Sequence, residues 1–274
     1  MSKSKGKIAV MTVIAWFATL LFLFPILWFF LLSLKDPQLT FASPPVFFFT
    51  PTLQAYEEIL FHSNAPKQLV NSLIVAGGNT LLCLALGVPA AYAFSRFRFR
   101  GRRDLLFTFL SVRMAPPIAV LLPFYLLMRN LNLVGTHLAM ILINVTVNMP
   151  LVIWLMKDFF NEVSESLDEM AMIDGCSRFK AFWRIVLPLA LPGIMVSTVF
   201  AFIFSWNEFL FALVFSNMHT QTLTVGTASF WTNVQLEWHK LAVAATMTII
   251  PPLVLAISLG KMLIRGLTLG AVKG

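Results

Sequence analysis

The sequence predicts an all-α membrane protein with six transmembrane helices. Of its 274 residues, 58% are hydrophobic and only 12% carry charge, about half the charge of an ordinary soluble domain. Six apolar runs of 20 or more residues cover about 8–32, 69–94, 105–128, 137–156, 192–215 and 241–260. Roughly 20 residues at ~1.5 Å rise cross the ~30 Å hydrocarbon core. Lipid offers no partner to exposed backbone groups, so each run is expected to be helical.

The first run is too long for the ~7–15-residue core of a signal peptide, and no small-residue cleavage site of the A-x-A kind follows it. It is expected to remain as span 1. Pro25, Pro89, Pro116, Pro117, Pro123 and Pro251 fall inside the runs. They are expected to kink the spans rather than break them. Loop 33–68 is rich in Pro and Phe, including Pro37, Pro44, Pro45, Phe47, Phe48, Phe49 and Pro51. Leu53, Tyr56 and Leu60 then share a helical face, predicting a short surface helix. This loop reads as a docking lip or as an interfacial aromatic belt. Loop 129–136 is short and predicts spans 3 and 4 as antiparallel neighbours. Loop 216–240 is polar, with Trp231 and Trp238 as interface aromatics. No internal repeat is evident, which weakens an inverted-repeat transporter.

The net charge of +8 is a topology signal. Fifteen of the 20 Lys and Arg fall in segments that six crossings place on one side: Lys3, Lys5 and Lys7, the run from Arg96 to Arg103, Lys157, Arg178, Lys180 and Arg184, and Lys261, Arg265 and Lys273. Four lie on the other side and Arg113 lies within a span. This bias puts both termini in the cytoplasm, beside anionic headgroups. No nucleic-acid motif accompanies it. Cys83 and Cys176 fall in a span and a cytoplasmic loop, show no metal-ligand spacing and read as packing residues.

The cytoplasmic segment 157–191 is the most informative. Ser166 and Glu169 are spaced as a capping box, and Gly175 stands where a left-handed C′ glycine closes a helix. A helix over 167–174 is predicted, with Leu167, Met170 and Ala171 on one stripe. A second helix follows, with Phe179, Phe182, Trp183 and Val186 at i, i+3, i+4 and i+7, ended by Pro188 and Pro192. So short a helix is marginal alone. It either lies on its own bundle or membrane surface, or docks into a partner.

Glu169-Met170-Ala171, then Gly175 after three residues, Ile185 after nine, and Leu187-Pro188 resemble the EAA signature of ABC importer permeases. Met170 replaces the first alanine. Ser205-Trp206-Asn207-Glu208-Phe209 in span 5 and the six-span plan resemble the binding-protein-dependent sugar-uptake branch, the maltose-transporter type. The resemblance implies a type I ABC importer permease fold, with residues 1–274 as one transmembrane permease domain in a bacterial or archaeal cytoplasmic membrane. It implies a second homologous permease, an ATPase dimer and an extracytoplasmic solute-binding protein as partners. It also implies that Glu169, Met170, Ala171, Asp174 and Gly175 form the contact with the ATPase. No G-x-x-x-x-G-K-[ST] phosphate loop exists in this chain. ATP and Mg are therefore expected on the ATPase, with no cofactor, catalytic residue or metal ligand here.

Polar residues inside the spans are the remaining candidates, for a translocation path or a permease–permease contact. Glu208 lies ~25 Å along span 5, in the outer half of the bilayer, where a lipid-facing charge is costly. Trp206, Asn207 and Glu208 point in different directions; they line a path and meet a partner, or form a hydrogen-bonded clasp between helices. Arg113 sits ~12 Å into span 3, before Pro116 and Pro117. Asn144 and Asn148 share a face of span 4 and suit hydroxyl-rich ligands or helix–helix hydrogen bonds; Asn71 and Asn79 in span 2 carry the same choice. Sparse charge in the spans fits a neutral or weakly charged solute such as a sugar or polyol. The alternative is an ion-coupled secondary transporter with Glu208 as proton carrier. An intramembrane enzyme fits poorly, because His62, His137, His219 and His239 all fall in loops or at span ends on the outer side.

Overall fold

A computed structural model describes residues 2–40, 42, 46–228 and 237–269. Pro44, Pro45, Trp231 and Lys273 lie outside the described residues, as do the side chains of Lys3, Lys5, Lys261 and Arg265. The described chain is helical: α1 (Ser2–Ser33), α2 (Pro37–Thr40), α3 (Gln54–His62), α4 (Ala65–Arg96), α5 (Arg102–Met114), α6 (Pro117–Asn130), α7 (His137–Glu162), α8 (Glu165–Ile173), α9 (Arg178–Ala181), α10 (Leu187–Leu189), α11 (Leu191–Trp206), α12 (Leu210–Phe215), α13 (Leu223–Ala228) and α14 (Trp238–Leu269), with a π-helical turn over Phe182–Val186. Among the described residues four helices are long and apolar enough to cross a membrane alone, and the number reaches six when each of two bent pairs counts as one span.

The bent pairs correct the expectation of kinks. Span 3 breaks at Ala115–Pro116, and α5 and α6 meet at 99°. A residue preceding proline is driven out of the helical region. Here both residues that precede a proline leave it: Ala115 has ψ 131° and Pro116 has ψ 129°. Pro25, Pro89 and Pro123, and the adjacent Pro251 and Pro252, stay inside their helices, as expected. Spans 3 and 4 are neighbours, as expected: α5 packs along α7, and α6 packs on α12 and shares an apolar cluster with α7 through Met128, Met140 and Ile143. Span 5 is interrupted too, between α11 and α12 over 207–209, without any proline.

The chain forms two compact units. The first comprises Met1–Pro66 and Gly226–Ile249. None of the most apolar window of α1 is buried. The Tyr56 and Ser33 hydroxyls meet at 2.8 Å, and Lys35 Nζ donates to the Val46 carbonyl at 2.9 Å. The surface helix predicted after Pro51 is α3, but it buries Ala55 and Ile59 and leaves Leu53 and Leu60 exposed. Its inner face is one position removed from the stripe read in the sequence. Lys240 pairs with Glu58 at 3.3 Å and with Glu237 at 3.1 Å.

The second unit, Lys67–Val225 with Ile250–Gly274, holds the main core. Small residues let its helices approach closely, as in other membrane bundles. A Cβ on Gly78 would meet Ile141 at 2.7 Å, and one on Gly193 would run into the Phe159 ring. One apolar cluster gathers Val88, Tyr92, Ile153, Met156, Phe160, Phe182 and Val186. Another gathers Met128, Met140, Ile143, Phe211 and Phe215.

Candidate functional site

The segment after α7 folds as two short helices, with boundaries that differ from those predicted. α7 continues to Glu162, so the loop begins later than residue 157. Ser164, not Ser166, is the N-cap of α8: its hydroxyl accepts from the Ser166 N–H at 3.4 Å. The Ser166–Glu169 capping box therefore does not form. Two serines stand two residues apart, and the earlier one has Glu165 and Asp168 in the helical turn that follows, where the helix dipole favours acids.

The C-terminus of α8 closes as read. Gly175 adopts φ +81°. The Cys176 N–H donates to the Ala171 carbonyl at 3.0 Å and the Gly175 N–H to the Met172 carbonyl at 3.1 Å. This is a Schellman motif. Around it Glu169, Met170, Asp174 and Gly175 are exposed, and Ile173 is 84% exposed. Ala171 points inward and is buried, so Met170 and Ala171 do not share a buried stripe.

The second helix also departs from its predicted stripe. Ser177 caps α9 by accepting from the Lys180 N–H at 3.3 Å. The π-helical turn then widens the register. Phe182 and Val186 are buried, whereas Phe179 and Trp183 are exposed and line a cleft of about 240 Å³ together with Pro89 and Phe97. The helix breaks at Ala190, and Pro192 enters the first turn of α11.

Asp168, which the sequence did not single out, anchors this loop. Its carboxylate accepts from Arg96 Nε at 2.7 Å and from the Tyr92 hydroxyl at 2.7 Å. The Asp168 and Arg96 side chains are 8% and 5% exposed. Arg96 Nη2 donates to the carbonyl of Val163, the C-cap of α7, at 2.7 Å. Tyr92 also packs against Phe160 and Phe182, with ring centroids 5.6 and 4.7 Å away.

The polar residues of the spans do not gather into one site. Asn144 and Asn148 are each 3% exposed. Asn144 Nδ2 donates to the Met140 carbonyl of its own helix at 2.9 Å, and Asn148 Nδ2 approaches Asn79 Oδ1 at 3.5 Å. Asn79 Nδ2 donates across to the Ala201 carbonyl of α11 at 2.9 Å. Asn79 and Asn148 thus tie α4, α7 and α11 together, whereas the Asn144 bond stays within α7. Asn71 serves loop 216–225: Nδ2 donates to the His219 and Gln221 carbonyls at 3.0 and 2.9 Å, and Oδ1 lies 2.8 Å from His137 Nε2.

Glu208 stands in the interruption of span 5, half-buried. Its two carboxylate oxygens accept from the Phe211 and Ala212 N–H groups at 2.7 and 2.9 Å. The first N–H groups of a helix have no partner within it, and this side chain supplies one for the restarted α12. Trp206 is buried and stacks on Phe202 at 5.5 Å, while Asn207 is exposed. Arg113 lies over the Phe204 ring at 4.5 Å, and its Nη1 is buried without a hydrogen-bond partner among the described residues. Among those residues no three His, Cys, Asp or Glu gather to hold a metal ion.

The family of binding-protein-dependent transport system inner membrane components matches residues 84–269, more than half of the chain. The chain belongs to this family. A probable ABC transporter permease protein, y4oR, of Sinorhizobium fredii is 38% identical over 92% of this chain and 91% of its own length. The trehalose/maltose transport system permease protein MalG of Thermococcus litoralis is 34% identical over 92% of each. A solved bacterial ABC transporter involved in the import of the acidic polysaccharide alginate has a chain that superposes with a TM-score of 0.76 at 23% identity, covering 95% of this chain and 97% of that one. At that identity the match establishes the fold, the type I importer permease arrangement of six crossings. The protein is thus a multi-pass permease of a binding-protein-dependent ABC system. None of these matches assigns a role to Asp168, Glu208 or any other individual side chain.

Proposed function

We propose that this permease carries a sugar or polyol inward, as one of two homologous membrane subunits driven by a separate ATPase dimer. The loop around Gly175 carries the reading. It is a short helix, closed at its C-terminus by a left-handed glycine, with Glu169, Met170, Ile173 and Asp174 exposed. A nine-residue helix has little stability alone, and a cleft on an ATPase subunit would supply the missing surface. The basic bias of loops and tails puts this face, and both termini, in the cytoplasm.

In the proposed cycle ATP and Mg stay on the ATPase. Closure of that dimer displaces α8, and the spans tilt between outward- and inward-open states. A solute-binding protein delivers the solute outside. The 1–274 chain acts as one permease domain. Arg113 and the Trp206–Glu208 corner are assigned to the path or to the partner permease, and Asn79 and Asn148 to holding the helices that flank it. The solute class draws on relatives named for trehalose and maltose, diacetylchitobiose, and melibiose, raffinose and stachyose. A proton-carrier role for Glu208 has less support, because both carboxylate oxygens are already engaged by backbone amides.

The test is to purify the chain with its operon partners, reconstitute the complex in vesicles, and measure binding-protein-dependent ATPase and uptake over a panel of sugars and polyols. Stimulation by a subset of the panel is the expected result. Uptake by this polypeptide alone, without ATP, overturns the proposal.

A further inference from the structure

Neighbouring acids on α8 are put to different uses. Glu169 is exposed and makes no side-chain hydrogen bond or ion pair among the described residues. Asp168 turns inward and is held by the last turn of α4, through Arg96 and Tyr92. Arg96 reaches three places at once: α8 through Asp168, the end of α7 through the Val163 carbonyl, and Ser95 Oγ at 3.2 Å. Ser95 in turn donates to Asn161 Oδ1 of α7 at 2.8 Å. One guanidinium therefore fastens the cytoplasmic ends of two spans to the helix beyond them.

We infer that Asp168 and Arg96, with Tyr92, are positioning residues that yoke α8 to the ends of α4 and α7, so that a displacement imposed on α8 passes to those spans. The inference rests on the proposed function. Separating a buried, hydrogen-bonded ion pair strands a charge away from water, at far greater cost than breaking an exposed one. Pushing α8 therefore drags α4 and α7 along before the pair parts. The aromatic packing of Tyr92 with Phe160 and Phe182 gives a second attachment, between α4, α7 and the π-helical turn. Two attachments fix direction as well as distance, which a lone tether does not. The exposed side of α8 remains free for whatever drives it.

The experiment uses the complete reconstituted complex carrying Asp168→Asn, Arg96→Gln or Arg96→Lys. It reads the yield of assembled complex, the ATPase rate with loaded binding protein, and solute moved per ATP. Asp168→Asn and Arg96→Gln are expected to keep ATPase while solute per ATP falls about tenfold, within the ~5–150-fold range of ordinary coupling between sites. Arg96→Lys keeps the charge and is expected to retain most of the wild-type ratio. An unchanged ratio, with yield and ATPase falling together, overturns the inference, because the pair then only supports folding. Equal loss of the ratio in Arg96→Lys and Arg96→Gln also overturns it. If Asp168→Asn does not accumulate, Tyr92→Phe, which drops only one 2.7 Å hydrogen bond, must lower the ratio; no change there sinks the assignment. A wild-type complex that shows no ATP-dependent uptake refutes the proposed function instead.

Discussion

Replacing Glu208 by alanine removes both acceptors at the start of α12, at 2.7 Å from the Phe211 nitrogen and 2.9 Å from the Ala212 nitrogen. Hydrogen bonds to a charged group contribute about 1.5–3 kcal/mol each, and loss of a helix N-cap costs about 0.5–2 kcal/mol. The two bonds share one carboxylate and do not add fully. A loss of about 2–4 kcal/mol follows for Glu208→Ala by that reckoning. Glu208→Gln keeps one acceptor but turns an NH₂ toward the other amide, so it should cost about half as much. The Thr224 hydroxyl bonds the Glu208 main-chain carbonyl at 3.1 Å and survives either change. The assay is thermal unfolding of the detergent-solubilised permease, followed by near-UV circular dichroism and by labelling of buried Cys83. Stability should fall in the order Glu, Gln, Ala. An alanine variant that unfolds with the wild type refutes the capping role. A glutamine variant of full stability that carries no solute moves Glu208 from architecture to transport.

Three further outcomes are expected. Gly175→Val places a β-branched residue at φ +81°, where no neighbour lies within 4 Å of the added Cβ. The strain is then purely conformational, about 1–2 kcal/mol, and should appear as weakened ATPase association in co-purification together with a small fall in the subunit's melting temperature. Gly193→Ala drives a methyl into the Phe159 ring and should destabilise the packing of α11 on α7 by about 1–3 kcal/mol, read by thermal unfolding. Arg113→Leu removes a buried donor that lacks a partner; it should leave the isolated subunit as stable or stabler while uptake by the complex falls, and equal losses in both would show the guanidinium to be structural.

The readable parts of the sequence were those whose determinants are local. Gly175 announced its conformation because a helix ending there needs φ > 0, and the residues that close the motif lie within five positions of it. The prolines announced that span 3 was irregular, but adjacency alone does not decide between a bend and a break, since Pro251 and Pro252 stay inside α14. The yoke was not readable. Asp168 and Arg96 stand 72 positions apart, and Arg96 opens a run of five arginines in which nothing marks it as the inward one. Hydropathy is equally blind to the interruption of span 5, because Phe209 resumes the apolar run at once. The signal was there in another form: an acid three to four residues ahead of free amides is the arrangement that starts a helix. Ser164 and Ser166 show the limit of such patterns, since both fit a cap and the acids of the following turn favoured the earlier one.

The interruption at Ala115–Pro116 lies within a bent helix pair long and apolar enough to cross the bilayer, whereas the one at 207–209 follows directly on a second such pair, which ends at Trp206. Hydrocarbon tolerates non-helical backbone only where protein covers it or water reaches it. Acyl chains are therefore shut out at Ala115–Pro116, by neighbouring protein or by an aqueous opening. That corner marks where the lipid boundary of this subunit ends, and lipid-soluble quenchers should pass it by.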